Sequence, residues 1–382
     1  MYRPTYINVD CNKLENNIKK IISNHSKYDY FFGIVKNNAY HHGIYVVNHM
    51  IDAGINYLAV SSLEEAIQVR KYNNEISILC LEPIKKDYIC DVINNNITLT
   101  ISSEDEALSL LDADIFEEVK IHLKIDSGMN RLGFKDKKEL KNAYKKLSEH
   151  KKINIEGLYT HLATDGIYDN VYKNQVNKFK DIISAIPYKE IKIIHIDRSN
   201  TLLLHDKLDF VNGARLGICM YGIETGNNPS IKKKIISCFA KKENKNKEIF
   251  LEPVLSFYSE VIQLRKPNKG EFVGYNAGYH TNGLEYIATI PCGYADGVLK
   301  KFKYIYINDN KYKIVAECMD MIMVSVDETV KIGDKVEIVG ENQTINILSS
   351  RLNMVEHKTL TLFSNRVPIS YIYNENTYEV KY

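Results

Sequence analysis

The chain has almost no excess charge of either sign: 50 basic residues face 48 acidic ones among 382, a formal net charge of +2. No global field therefore recruits nucleic acid or an anionic membrane. It lacks any run approaching the roughly 18 to 20 consecutive apolar residues of a membrane span, and its start, MYRPTYINVD, has neither the charged head nor the apolar centre of a signal peptide. A cytoplasmic protein with no membrane partner is expected. The seven cysteines include no C-x-x-C pair, and their odd number and scatter fit reduced thiols better than disulfides or a zinc site. No H-E-x-x-H is present either, so no metal is expected. Arginine is scarce, eight of the 50 basic residues, which marks each arginine as a place where a planar, permanent cation is wanted. The one uneven stretch, KKKIISCFAKKENKNK at 232–247, reads as a solvated loop.

With 45% hydrophobic residues the chain can bury a large core and fill two domains. From residue 28 to 222, eight short β-branched or aromatic runs (YDYFFGIVK, NYLAVSS, ISILCLE, ITLTIS, VKIHLKID, INIEGLYTHLA, IKIIHID and FVNGARLGICMYG) alternate with helical stretches such as SLEEAIQVRKY and KKELKNAYKKLSEH. Eight strand-helix units in about 200 residues predict an α/β fold, a closed (β/α)8 barrel of the TIM type. A doubly wound open sheet is the alternative, but no G-x-G-x-x-G follows the first run. Residues 251–382 carry short alternating runs parted by Gly, Asn and Pro, a mostly antiparallel β domain with little helix. The expected division is 1–235 for the barrel and 236–382 for the β domain. The first run, YINVD, could pair with either.

Barrel chemistry sits where strands end. Those ends supply Lys36, Asn38, Tyr40 and His42; Lys124, Asp126, Met129 and Arg131; His161; His195 with Ser199 and Asn200; and Arg215, Gly217 and Ile218. Taken alone, Lys36 is a strand-end lysine whose ammonium snorkels to water. In an apolar surround the neutral amine becomes accessible, and the same lysine serves as nucleophile and proton carrier. The amides after Arg215 can cradle a phosphate beside the Ser199 hydroxyl. A lysine and small-residue turns on one rim suit a phosphorylated, carbonyl-bearing cofactor.

The motifs extend this reading. VKNNAYHHG, KIDSGMNRLGF, YTHLATDG, RLGICMYG, VGYNAGY, IPCGYADG, ECMDM and NRVP occur in order across residues 36–368. Together they resemble the signature blocks of the alanine racemase family, which joins a pyridoxal 5'-phosphate (PLP) barrel to a β domain. The resemblance implies an amino-acid racemase that binds PLP and a small amino-acid substrate and works as a homodimer with shared active sites. It implies that Lys36 holds the cofactor covalently and acts as one proton carrier, with Tyr275 of a second copy as the other. Arg131 is implied to contact that tyrosine and the cofactor's phenolate oxygen, and Arg215 the pyridine nitrogen. Tyr40, Ser199, Gly217 and Ile218 are implied to bind the phosphate, His161 to flank the ring, and Met319 to touch substrate across the interface. Lys124 matches a lysine that is carbamylated in some members. Inversion at one carbon needs a base on each face. A cationic neighbour makes a phenol a better one.

The chain departs from the family pattern at several positions. Asn37 and His41 stand for the usual Ala and Gly, HIDRSNT for H-x-A-N-S-A, and Val315-Ala316 for Gly-Arg. Asn365 replaces the tyrosine before R-V-P. That smaller amide leaves room and a donor for a hydroxymethyl group, so serine turnover beside alanine is expected. Two alternatives stay open: a PLP-dependent decarboxylase of similar architecture, and a non-catalytic PLP-binding protein of the single-barrel type. Asp296 in GYADG could equally be a turn cap.

Overall fold

The computed structural model describes residues 2–166, 169–224 and 249–379. The anticipated loop at 232–247 and the anticipated division at 235/236 lie outside these. A short strand, β1 (Tyr6–Asp10), leads into helix Cys11–Asn24, whose first turn is capped by the Asp10 carboxylate on the Lys13 N–H. Eight parallel strands then close into a barrel in chain order: β2 (Tyr30–Ile34), β3 (Tyr57–Val60), β4 (Ile78–Cys80), β5 (Ile97–Ile101), β6 (Val119–Lys124), β7 (Ile153–Tyr159), β8 (Ile193–Asp197) and β9 (Gly213–Leu216). Closure is made by β9 on β2, with Phe32 opposite Arg215. All eight strands fall within the eight runs anticipated from sequence. Nearly every barrel-strand residue is buried, because helices cover the outside and side chains fill the inside.

The second domain is a ten-stranded sheet with a small two-stranded appendage. Its strands are β10 (Leu255–Glu260), β11 (Gln263–Arg265), β14 (Tyr286–Ile290), β15 (Tyr304–Ile307), β16 (Asn310–Glu317), β17 (Ile322–Val326), β18 (Lys335–Val339), β19 (Ile369–Tyr373) and β20 (Asn376–Glu379), joined by β1. The appendage pairs β12 (Phe272–Val273) with β13 (Tyr279–His280). Although β1 precedes the barrel in sequence, it lies in this sheet, antiparallel to β10 and parallel to β19. Its alternating buried residues Ile7 and Val9 are what a strand with one face on a core requires. The domain also carries two short helices, Ile345–Leu352 and Glu356–Leu360, and the second packs against the segment after Lys36. Among the described residues, no helix is long and apolar enough to cross a membrane, no cluster of His, Cys, Asp and Glu is arranged to hold a metal ion, and six cysteines are free thiols.

Candidate active site

Lys36 follows β2 at the barrel mouth and opens a turn of unusual hand. Asn37, Asn38, Ala39, Tyr40 and His41 all have positive φ, from 51° to 68°. Left-handed backbone costs about 1–2 kcal/mol per residue bearing a Cβ, and such strain persists only where its surroundings over-determine it. Here they do. The Glu65 carboxylate accepts from the N–H of Asn37 at 2.6 Å and of Ser61 at 2.7 Å. The Asn38 side chain accepts from the N–H of Ile44 at 3.1 Å. His42 Nδ1 donates to the carbonyls of Ala39 at 2.9 Å and Tyr40 at 3.1 Å, while its ring stacks on Tyr221 at 4.0 Å. Asparagine and histidine are among the side chains that tolerate this region best, which accounts for three of the five residues.

Burial first, then the Arg131 and Arg215 cations, hold the Lys36 ammonium below the ordinary lysine value, against the opposing pull of Glu65 and Glu82. Lys124, with its Nζ 5.4 Å from the centre of the Tyr159 ring, is pushed down to about 8 by burial and the same two arginines. His161 is driven to about 2 by burial and by Arg215 and Arg131. It is therefore a neutral ring, suited to lie against an aromatic plane rather than to carry charge.

Arg215 is the most constrained group of the set. Its Nη1 donates to His195 Nδ1 at 2.8 Å and to the His195 carbonyl at 3.0 Å; its Nη2 donates to the carbonyls of Thr160 at 2.8 Å and Ile196 at 2.9 Å. A guanidinium has five N–H donors. Among the described residues the fifth, on Nε, has no acceptor. Beside it, Ser199 Oγ accepts from the N–H of Gly217 at 3.1 Å and of Cys219 at 3.4 Å. A Cβ on Gly217 would stand 3.2 Å from Ser199 Oγ and 3.5 Å from the Tyr40 hydroxyl, so glycine keeps that concavity open. Ile218 starts the buried turn Ile218–Tyr221 at its edge. Tyr40 is buried edge-on to Tyr221 and to His357.

Arg131 is placed by Asp126. The Asp126 carboxylate accepts from the N–H of Gly128 and Asn130, both at 2.9 Å, and of Arg131 at 3.0 Å. Burial raises its pKa, but these three donors outweigh that and hold it below the usual range. Gly133, at φ 131°, is required because a Cβ would strike the backbone of Asp126. The Arg131 side chain is left exposed at the rim.

Tyr275, Met319 and Asn365 all lie on the second domain. Gly274 abuts Ala316, which brings the Tyr275 turn against β16. Gly293 lets the GYADG turn lie directly on the carbonyls of Cys318 and Met319, where a Cβ would collide. Asp296 does more than cap a turn. It is fully buried, accepts from the Gly293 N–H at 2.9 Å, and binds both Arg3 and Arg366; Arg366 reaches on to Asp320 at 2.8 Å. Asn365 and Met319 each stand one residue from that network. Tyr275 is 76% exposed and Met319 53%. Among the described residues no hydrogen bond, ion pair or ring contact joins Tyr275 to Lys36.

The barrel thus brings Lys36, Tyr40, Arg131, His161, Ser199, Arg215, Gly217 and Ile218 to one mouth, whereas Tyr275, Met319 and Asn365 are exposed on the second domain, Asn365 two residues from Phe363, whose ring lies 6.0 Å from that of His41. Sequence reasoning missed Glu65, which pins the left-handed turn, and His357, which reaches Tyr40 from the second domain. Glu65 falls in SLEEAIQVRKY, which reads simply as a helical stretch, and E-H-K-T-L has no apolar period to announce a helix.

A parallel barrel whose mouth pairs a depressed lysine with an anion cradle, joined to an antiparallel sheet, defines a class of two-domain barrel enzyme. Family comparison narrows the class. The model for the alanine racemase N-terminal domain matches residues 9–225, and that for the alanine racemase C-terminal domain matches residues 254–371. Alanine racemase 1 of Bacillus subtilis (strain 168) is 30% identical over 389 residues, covering 100% of this chain and 96% of its own, and the alanine racemase of Streptococcus uberis is 30% identical over 97% and 99%. The crystal structure of the Bacillus anthracis alanine racemase with bound L-Ala-P superposes with a TM-score of 0.89 at 29% identity, covering 100% of this chain and 98% of that one. The chain belongs to the alanine racemase family and is an amino-acid racemase. A histidine racemase from Leuconostoc mesenteroides shares the fold at a TM-score of 0.84 and 24% identity, so the fold alone does not dictate which side chain is accepted.

Proposed function

We propose that the protein interconverts L- and D-alanine, and also L- and D-serine, with PLP bound at the barrel mouth and Tyr275 supplied by a second copy of the chain. The family is PLP-dependent, and the observation that carries the assignment here is the donor set around Arg215 and Gly217. One uncommitted guanidinium N–H beside an open glycine-lined cradle, within reach of a lysine whose charge is disfavoured, fits a pyridine nitrogen, a phosphate and a carbonyl carbon in turn. When bound, the cofactor supplies an electron sink for the substrate carbon.

The protein's residues divide the remaining work. Tyr40, Ser199, Gly217 and Ile218 hold the phosphate; His161 lies against the ring. Arg215, unable to give up its proton at working pH, leaves the pyridine nitrogen unprotonated and restrains charge build-up there. One face of the substrate Cα is served by the Lys36 amine and the other by the Tyr275 hydroxyl. Removal of the Cα proton by one and delivery of a proton by the other inverts the centre, and the two groups exchange roles for the reverse direction. Arg131, exposed at the rim, contacts the incoming Tyr275 and binds substrate. Met319 of the second copy touches the substrate, and Asn365 lines the pocket.

The exposed Tyr275 on the second domain, unjoined to Lys36 among the described residues, supports a homodimer as the working form. Racemisation assays with chirality readout on alanine and serine, with CO2 monitored, test the proposal. Loss of CO2 without inversion would replace it with the decarboxylase reading, and PLP binding without turnover would leave a carrier.

A further inference from the structure

Below the mouth, the barrel interior contains a continuous polar chain. His195 Nε2 lies 3.0 Å from His122 Nδ1, and His122 Nε2 lies 3.4 Å from Glu156 Oε2. Glu156 also accepts from the Tyr57 hydroxyl at 2.9 Å and from Lys192 Nζ at 3.3 Å. All but Lys192 are buried, and His195 is sandwiched between Phe32 at 4.4 Å and Tyr159 at 4.7 Å.

The protons in this chain follow from its ends. A guanidinium only donates, so His195 Nδ1, bonded to Arg215, must be the bare acceptor nitrogen. Its proton is then on Nε2 and points at His122 Nδ1. His122 in turn carries its proton on Nε2 and gives it to Glu156. A carboxylate only accepts, so the lower end independently demands the same pattern. Burial disfavours the Glu156 charge, yet bonds from His122 and Tyr57, with Lys192, hold its carboxyl down to about 2. Burial, reinforced by Arg215, keeps His195 neutral.

We propose that Glu156 is a positioning residue: it fixes the tautomers of His122 and His195, and through them holds Arg215 so that Nε–H is the donor left for the ligand. The inference deepens the functional reading above and rests on it for the identity of that ligand. Without the carboxylate, His122 is free to place its proton on Nδ1, where it opposes the Nε2–H of His195; His195 then turns a proton toward the guanidinium and the contact breaks.

The test is 15N-imidazole NMR of histidine-labelled protein, free of cofactor and with PLP, on wild type, Glu156→Leu and Glu156→Gln. In wild type both rings are expected to be Nε2-protonated and not to titrate between about pH 6 and 9. Glu156→Leu is expected to populate the Nδ1-protonated form of His122 and to weaken PLP binding about tenfold, as loss of an outer partner does. Glu156→Gln, whose amide oxygen accepts the same proton, is expected to restore the tautomers and bring affinity back within about twofold. An Nδ1-protonated His195 in wild type overturns the proposal, as does a Leu variant whose tautomers and affinity match wild type. If Glu156→Leu does not fold, the wild-type tautomers and the Gln variant decide: mixed tautomers in either overturn it, and the fixed pattern in both supports it. Wild-type protein that binds no PLP overturns the functional reading instead, since the tautomers are read in cofactor-free protein.

Discussion

The buried carboxylate of Asp296 binds Arg366 at 3.1 Å while holding Arg3 at 2.9 Å, so one anion fastens the NRVP turn and the amino-terminal arm to the GYADG turn. Removing it leaves two arginines without their shared partner and frees the loops that carry Asn365 and Met319. Because both arginines reach solvent, the cost falls below that of breaking a fully buried pair, about 2 kcal/mol. Asp296→Ala should therefore lower the melting temperature and raise KM for alanine more than it lowers kcat; unaltered stability and KM would show the network to be idle.

Gly217→Ala places a methyl group 3.2 Å from Ser199 Oγ and 3.5 Å from the Tyr40 hydroxyl, inside the proposed phosphate cradle. The fold has room to adjust by a few tenths of an ångström, whereas a phosphate has none. PLP affinity measured by equilibrium dialysis should fall about tenfold or more with little change in thermal stability of the cofactor-free protein.

The lowered pKa of Lys36 gives a pH dependence with a definite sign. Covalent attachment of PLP needs the unprotonated amine, so its rate should rise with pH and level off below the roughly 10.4 of a free lysine. Removing a lowering cation in Arg131→Ala should move the midpoint up, and removing a raising carboxylate in Glu65→Gln should move it down. Borohydride trapping and peptide mass spectrometry provide the rates. A midpoint indifferent to both substitutions would refute the electrostatic account of this lysine.

Asn365 lies exposed on the second domain, between Ser364, whose N–H donates to the Asp296 carbonyl at 3.3 Å, and Arg366. Its short amide leaves space and a donor. Asn365→Tyr should reduce kcat/KM for serine at least about fivefold relative to alanine, the discrimination expected when a small polar group is excluded from a pocket. Equal losses on both substrates would separate this residue from specificity.

Much of this architecture can be read from the chain because barrel strands advertise themselves: buried runs such as ITLTI and IIHID leave little choice of conformation. The rim residues follow from strand ends by the same logic. Interactions that depend on distant partners do not. Arg3 meets Asp296 across 293 residues, and Tyr6–Asp10 could be placed only once β10 and β19 existed to pair with it. The left-handed turn at Asn37–His41 runs against local preference and is held by Glu65 from another loop, which no local pattern reports. His122 and Glu156 are similarly silent, being polar residues inside barrel strands whose partner is the next layer of the barrel.

The central claim is that Lys36 and Tyr275 of different chains make one site, and mixing two inactive proteins tests it most directly. Lys36→Ala and Tyr275→Phe should each be nearly inactive alone. After dissociation and reassociation in equal amounts, about half the dimers are mixed, and each mixed dimer contains one site with both groups intact, so activity should return to about a quarter of wild type. Persistent inactivity of the mixture, with mixed dimers verified by mass, would contradict the claim.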